Sequence, residues 1–162
     1  MENYALNDAG KTLSEYGNAI LRLAFSYLHN IQDAEEILQE TMIRYMRHAP
    51  SFESNDHKKA WLLRVTANLS KNRIRYNRLR NTDELKNDLI SSDREDLSFV
   101  WDAVKMLPEI YSEVVHLYYQ EGYKTAVIAD ILSVPESTVR VRLKRARKQL
   151  KEVLKEAFDF EG

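Results

Sequence analysis

No cysteine occurs among the 162 residues, which excludes disulfides, thiolate nucleophiles and Cys-ligated zinc, and fits a reducing compartment, the cytoplasm being the expected location. Glycine and proline are scarce, at four and three residues, and no alternating run of Val, Ile or Thr appears, so strands are not expected. The chain reads as all-α. No apolar run is long enough to span a bilayer, and the first residues, Glu2 and Asp8 among them, lack the apolar stretch of a secretory signal, so no membrane insertion is expected. Clusters that carry chemistry are missing as well. His29, His48, His57 and His116 are scattered, and Glu113 with His116 supplies only half of a di-iron carboxylate pattern. With no phosphate loop and no nucleophile beside a base, neither a metal, nor a cofactor, nor an enzyme is expected.

What the chain has is charge sorted into blocks. Its net charge is only −1, but residues 1–57 carry −5, 58–82 carry +8, 83–122 carry −7, 123–151 carry +6 and 152–162 carry −3. Two basic islands in an acidic chain imply two separate contacts with a polyanion, and leave the acidic blocks for another partner.

The second island holds the clearest motif. Val139, Leu143, Ala146 and Leu150 recur at four, three and four, one apolar stripe of a helix. Arg140, Lys144, Arg145, Arg147 and Lys148 occupy the other faces, and so many cations repel one another unless an anion is near. Before it stands Ile128-Ala129-Asp130-Ile131-Leu132, a short apolar helix, and then Ser133-Val134-Pro135. Small Ala129 allows close approach, Val134 plugs the turn, and Pro135 can start the second helix because a first-turn residue needs no donor N–H. This is helix-turn-helix spacing, which sends the N-terminal part of the second helix into the major groove. Ser137, Thr138, Arg140, Val141 and Lys144 are the residues placed at base edges. Lys124, Arg145, Arg147 and Lys148 complete the duplex-binding set. A solvated basic helix is the plainer reading, but it would not require the small residue and the turn.

Upstream, Leu13, Tyr16, Ile20, Leu23, Ala24, Tyr27 and Leu28 mark a first long helix ending near His29-Asn30. A second helix opens at Asp33, read as its N-cap, and runs through Ile37, Leu38, Thr41, Met42, Tyr45, Met46 and Ala49. Residues 50–56 read as a loop with an isolated Phe52. A third helix over 58–80 shows Leu62, Val65, Leu69, Asn72, Tyr76 and Leu79 as an apparent apolar stripe, with cations, Asn68 and Trp61 elsewhere. Cations that follow phosphates, together with rings that stack on bases, suit a single strand, although a helical Trp is more often a core residue. Residues 81–96 turn acidic and Ser-rich and read as a flexible linker. Beyond it, Leu97 to Leu107 is a helix stopped by Pro108, and another runs from Glu109 to Gly122. Two small helical domains follow, 1–80 and 97–157, with 158–162 as a tail.

In order along the chain stand Asp33-Ala34-Glu35-Glu36-Ile37-Leu38-Gln39-Glu40-Thr41, Trp61-Leu62-Leu63-Arg64-Val65-Thr66-Ala67-Asn68, Leu107-Pro108-Glu109 and Glu121-Gly122, followed by the helix-turn-helix. Together they closely resemble the extracytoplasmic-function sigma factors of bacteria, from about Tyr16 to Leu154. The resemblance implies a dissociable subunit that binds core RNA polymerase, directs it to promoter DNA and helps open the duplex. It places polymerase docking on Asp33, Glu36, Gln39 and Glu40. It places the −10 reader, working on a melted strand, on Phe52, Trp61, Arg64, Asn68, Lys71, Asn72 and Arg75, and the −35 reader on the helix from Glu136. An anti-sigma factor would be a further partner.

The pattern departs from the family in three places. Lys58 stands where many relatives have an aromatic, Ser133 where the turn has Gly, and Ala126 and Val127 where Glu is usual, leaving Thr125 as the expected cap of the first helix of the motif. The rival reading is a free-standing helix-turn-helix regulator, which explains the second basic island and leaves the first without a task.

Overall fold

The computed structural model describes residues 2–80 and 98–157, with side chains from 7–80 and 100–155. The expected linker at 81–96 and tail at 158–162 lie outside the described residues. Every regular element among those described is helical, and contacts divide the chain into two units, Met1–Asn87 and Asp88–Gly162.

The first unit consists of α1 (Glu2–Leu28), α2 (Ile31–His48) and α3 (Asn55–Arg80). Ile20, Leu23 and Ala24 of α1 are fully buried, against Ala34 and Ile37 of α2 and Leu62, Leu63 and Ala67 of α3. The α2–α3 crossing also buries two hydroxyls. Thr66 donates to the Leu62 carbonyl at 2.8 Å and lies 3.4 Å from the Thr41 hydroxyl, so two polar groups are satisfied without water.

Two helix signals fall elsewhere than expected. The N-cap of α2 is Asn30, whose side chain accepts from the Asp33 N–H at 2.9 Å. Asp33 sits in the first turn instead, because His29 adopts a left-handed φ of 53° and ends α1, so that α2 begins at Ile31. The buried face of α3 is also different. Ala60, Leu62, Leu63, Thr66, Ala67 and Ser70 face the core, while Leu79 is 88% exposed and Tyr76 57% exposed. The inward face of α3 is turned by roughly a third of a revolution from the Leu62-Leu69-Leu79 stripe. Small side chains win that face because they let α3 approach α1 and α2 closely, and Tyr76 and Leu79 lie in a last stretch where every side chain is exposed. Leu13 and Met46, also expected in the core, are exposed.

The second unit holds α4 (Ser98–Lys105), α5 (Glu109–Val115), α6 (Thr125–Leu132) and α7 (Glu136–Ala157). The expected helix to Gly122 changes pitch at a π turn, His116–Gln120, before Gly122 closes it with φ 77°, a backbone that favours glycine. Val104, Leu107, Val114, Leu117, Ile128, Ile131, Val139, Leu143 and Ala146 form the core, so the expected stripe of α7 does face inward, with Leu150 packed at its margin.

Candidate functional site

One side of α3 carries Trp61, Arg64, Asn68, Lys71 and Arg75 at three, four, three and four, next to the face that buries Leu63, Ala67 and Ser70. The spacing keeps them on one line along the helix. Asn68 and Arg75 are exposed, and Trp61, Arg64 and Lys71 are half-buried. Asn72 is exposed and accepts from Arg75. At the head of the line the loop before α3 is folded around aromatic rings. Phe52 stacks on Tyr45 with centroids 6.5 Å apart and meets Trp61 edge-on at 5.8 Å. Trp61 therefore packs against Tyr45 and Phe52 and stays half-buried.

Lys58, the departure from the family pattern, is bound inward. Its ammonium lies 5.0 Å from the Tyr45 ring centroid and 5.9 Å from that of Tyr16. Burial works against its charge, but a hydrogen bond with Tyr45 and the fields of Tyr45, Asp8 and Tyr16 outweigh it, so its pKa stands above the ordinary 10.5. The Tyr45 hydroxyl donates to Asp8, so a single polar cluster joins α1, the last turn of α2 and the first turn of α3.

Asp33, Glu36, Gln39 and Glu40 recur at three, three and one on α2, with Glu36 on the rim of a groove of about 440 Å³ between α2 and α3. Ile43, Leu69 and Tyr76 supply its apolar lining, and Gln39, Glu40, Asn72 and Arg73 its polar edge. Asn72, expected at the melted strand, thus also lines the acidic groove. The acids already have internal partners. Arg73 places one guanidinium nitrogen 2.9 Å from Asp33 and the other 2.9 Å from Glu36. Asn77 donates to the second Asp33 oxygen at 3.3 Å, and Arg44 lies 3.9 Å from Glu40. Nothing local in the sequence pairs Arg73 with Asp33, since the contact depends on how α3 crosses α2.

In the second unit, Ser133 takes the left-handed region, φ 58°, where the family turn has glycine. Its N–H and that of Val134 both return to the Ala129 carbonyl, closing α6 before Pro135 turns the chain into α7. Pro135 stands just ahead of α7, and its carbonyl accepts from Thr138 and Val139. Thr125 is the first residue of α6, not its cap, which is Lys124 without a side-chain bond. The Thr125 hydroxyl donates instead to Glu136 at 2.6 Å, fastening the start of α6 to the start of α7. Ser137, Arg140, Val141, Lys144, Arg145, Arg147, Lys148 and Lys124 are exposed, and Thr138 is half-buried. Arg140 reaches back to Glu136 at 3.1 Å.

Further down α7, Arg147 donates to the Tyr119 hydroxyl at 2.7 Å, with its guanidinium 5.9 and 5.7 Å from the Tyr118 and Tyr119 ring centroids. Arg142, passed over in the sequence, points inward to within 3.9 Å of the buried Glu113. His116 and Glu121 are both buried and 3.2 Å apart. These contacts fix the roll of α7 about its axis, and so which side chains it presents outward.

No group of three or more His, Cys, Asp or Glu among the described residues could hold a metal ion, and no described helix is long and apolar enough to cross a membrane. The chain matches the family model of sigma-70 region 2 over residues 12–80 and that of sigma-70 region 4 over residues 100–150. It is 28% identical over 161 residues to the ECF RNA polymerase sigma factor SigW of Bacillus subtilis, covering 87% of this chain and 86% of that protein. To the ECF RNA polymerase sigma-E factor of Haemophilus influenzae it is 28% identical over 159 residues, covering 85% and 82%. Among solved structures, it shares its fold with the sigma factor RpoE of Bartonella quintana, solved with the anti-sigma factor NepR. That match has a TM-score of 0.74 at 24% identity, covering 91% of this chain and 97% of the other. CnrH, solved with the cytosolic domain of CnrY, follows at 0.72 and 22% identity, covering 93% and 90%.

Proposed function

Because this chain belongs to the extracytoplasmic-function sigma factors of the sigma-70 family, we propose that its first unit docks on core RNA polymerase through α2 and reads a melted −10 strand along α3, while its second unit reads −35 duplex with α7. It works in the cytoplasm as a dissociable subunit, and an anti-sigma factor is a further partner, as in the complex of RpoE with NepR. Strand opening is driven by binding energy, and the polymerase supplies the chemistry.

One observation supports the assignment most: the line of Trp61, Arg64, Asn68, Lys71 and Arg75 along one side of α3, all at least partly exposed. Cations and amides at helical spacing, with a half-buried ring at one end, suit unpaired bases and their phosphates. The first basic island thereby has a task that a free-standing duplex-binding regulator would not give it. On α2, acids around an apolar groove suit a partner helix with basic and apolar side chains, since complementary charge guides encounter and orientation. The test is run-off transcription by core polymerase with and without this protein across a promoter library. Transcripts from a defined promoter subset, appearing only when the protein is added, are expected. Their absence would sink the assignment.

Two substitutions separate the DNA contacts. Asn68→Ala should leave closed-complex binding nearly intact and weaken strand opening by about 0.5 to 1.5 kcal/mol, the usual worth of one hydrogen bond. Permanganate reactivity of unpaired thymines reads that opening, and normal reactivity would reduce Asn68 to a solvated amide. Trp61→Ala should act in the same direction but also loosen the Tyr45–Phe52 stack, so its thermal melt belongs beside it.

In the second unit, Arg140→Ala should lower −35 discrimination by about 1 to 3 kcal/mol if the guanidinium reads a base edge. Arg147 is held across two tyrosines farther from the N-terminal end of α7, so Arg147→Ala should weaken all sequences alike. Binding to −35 variants measures both, and equal, sequence-independent losses would make Arg140 a phosphate contact.

A further inference from the structure

We propose that Arg73 is an internal counter-ion that occupies the docking acids of α2 until a partner's cations replace it. The proposal rests on the docking reading of α2 given above.

Three observations carry it. First, one side chain spans two of the proposed docking carboxylates, with separate guanidinium nitrogens at 2.9 Å from Asp33 and from Glu36. Those acids stand three residues apart, adjacent along the same face of α2, and the planar fork of an arginine can satisfy both at once. Second, Arg73 forms part of the wall of the α2–α3 groove, beside Glu36, Gln39 and Glu40 and above the apolar Ile43 and Leu69. A helix that seats an apolar side chain in this groove brings its own cations to the place Arg73 holds. Third, Arg73 stands two residues from both Lys71 and Arg75, so it projects from the side of α3 turned to α2, away from their line, and its release leaves that line unaltered.

The charge balance gives the direction of the effect. Asp33 and Glu36 together offer a partner two negative charges, but with Arg73 in place the trio offers one. A partner must therefore exchange cation for cation, and gains less than it would from two unopposed acids. The Glu36 side chain remains 59% exposed, so an incoming cation can reach it before Arg73 leaves. Once displaced, Arg73 remains at the edge of the α2–α3 groove, where solvent can hydrate it. A purely structural clamp behaves in the opposite way: its removal leaves the acids less well placed and weakens docking.

The test compares the full-length protein with Arg73→Gln, which keeps length and a donor but loses the charge, and with Arg73→Lys, which keeps the charge but loses the fork. Affinity for core polymerase is measured across a salt series, and affinity of the assembled holoenzyme for a single-stranded −10 oligonucleotide is measured beside it. Arg73→Gln should bind core roughly three- to ten-fold more tightly at low salt, with the gain shrinking as salt rises. Its holoenzyme should bind the oligonucleotide as the parent's does, since Arg73 faces away from the strand-binding line. Arg73→Lys should fall between the two in core affinity.

Core binding by Arg73→Gln that is equal to or weaker than the parent's would overturn the proposal. Thermal melts accompany both variants, and if Arg73→Gln is unfolded the decision passes to Arg73→Lys, whose core affinity must then exceed the parent's. Glu40→Lys, which does not touch Arg73, serves as the control for the docking reading. If Glu40→Lys and Asp33→Asn both leave core affinity unchanged, the docking face is elsewhere. If they weaken it while Arg73→Gln does not strengthen it, the docking face stands and the exchange of counter-ions fails.

Discussion

Reversing both acids, Asp33→Lys with Glu36→Lys, is expected to abolish measurable binding to core polymerase and also to destabilise the first unit. On sequence grounds alone the second effect is not expected, because both residues lie outside the apolar stripe of α2. In the folded chain they face Arg73 at 2.9 Å, and the Asp33 and Arg73 side chains are only 26% and 24% exposed. Two lysines would place three cations together in a partly dry setting. Loss of the ion pairs plus the new repulsion should cost about 1 to 3 kcal/mol. For a unit of this size that corresponds to a melting temperature lower by roughly 5 to 15 °C. Binding should fall by about 2 to 5 kcal/mol, since like charges then meet across the interface. The milder pair Asp33→Asn with Glu36→Gln removes attraction without adding repulsion, so it should lose less in the melt. Calorimetry and a core pull-down check the two arms. A double reversal that melts with the parent would mean the Arg73 contacts contribute nothing in solution, and one that still binds core would remove α2 from the interface.

The second large effect is expected from Leu117→Ala. Leu117 is fully buried in the π turn between α5 and α6, and truncating such a leucine typically costs about 2 to 5 kcal/mol in lost transfer energy and cavity. A unit of roughly 60 residues has only about 3 to 9 kcal/mol in total. The substitution should therefore leave the second unit largely unfolded near its former melting range and abolish −35 duplex binding. The first unit, with its own core around Ile20, Leu23 and Leu62, should keep its transition. Leu79→Ala is the matched control: the same chemical change at a side chain 88% exposed, expected to alter stability by less than about 0.5 kcal/mol. Two transitions, only one of them moved by Leu117→Ala, should appear in calorimetry. If both transitions shift together, the two units do not fold separately.

Much of this protein is legible along the chain because its signals are local. The α7 stripe of Val139, Leu143 and Ala146 requires only a period of 3.6 residues, and the Ser133-Val134-Pro135 turn only its own backbone preferences. The order of short motifs pointed to the family, which the two family-model matches establish. Local reasoning failed where two or more plausible solutions existed. Asn30 and Asp33 are both competent caps, and the left-handed His29 selected the first. On α3, large apolar residues suggested one face and small ones another. The small face won because three helices must pack closely, leaving Tyr76 and Leu79 outside.

What the sequence determined by itself, then, is the helical class, the two basic islands and the helix-turn-helix, all of which follow from composition, period and motif order. What only the tertiary structure decided is which charges are spoken for. Arg73 meets Asp33 and Glu36, Arg142 meets Glu113, and Thr125 meets Glu136 because separate helices are brought together by apolar burial, which has no direction of its own. The angle at which they then cross is set by the shapes of the side chains between them. A charge pair tens of residues apart leaves no periodic trace, so its existence depends on that crossing.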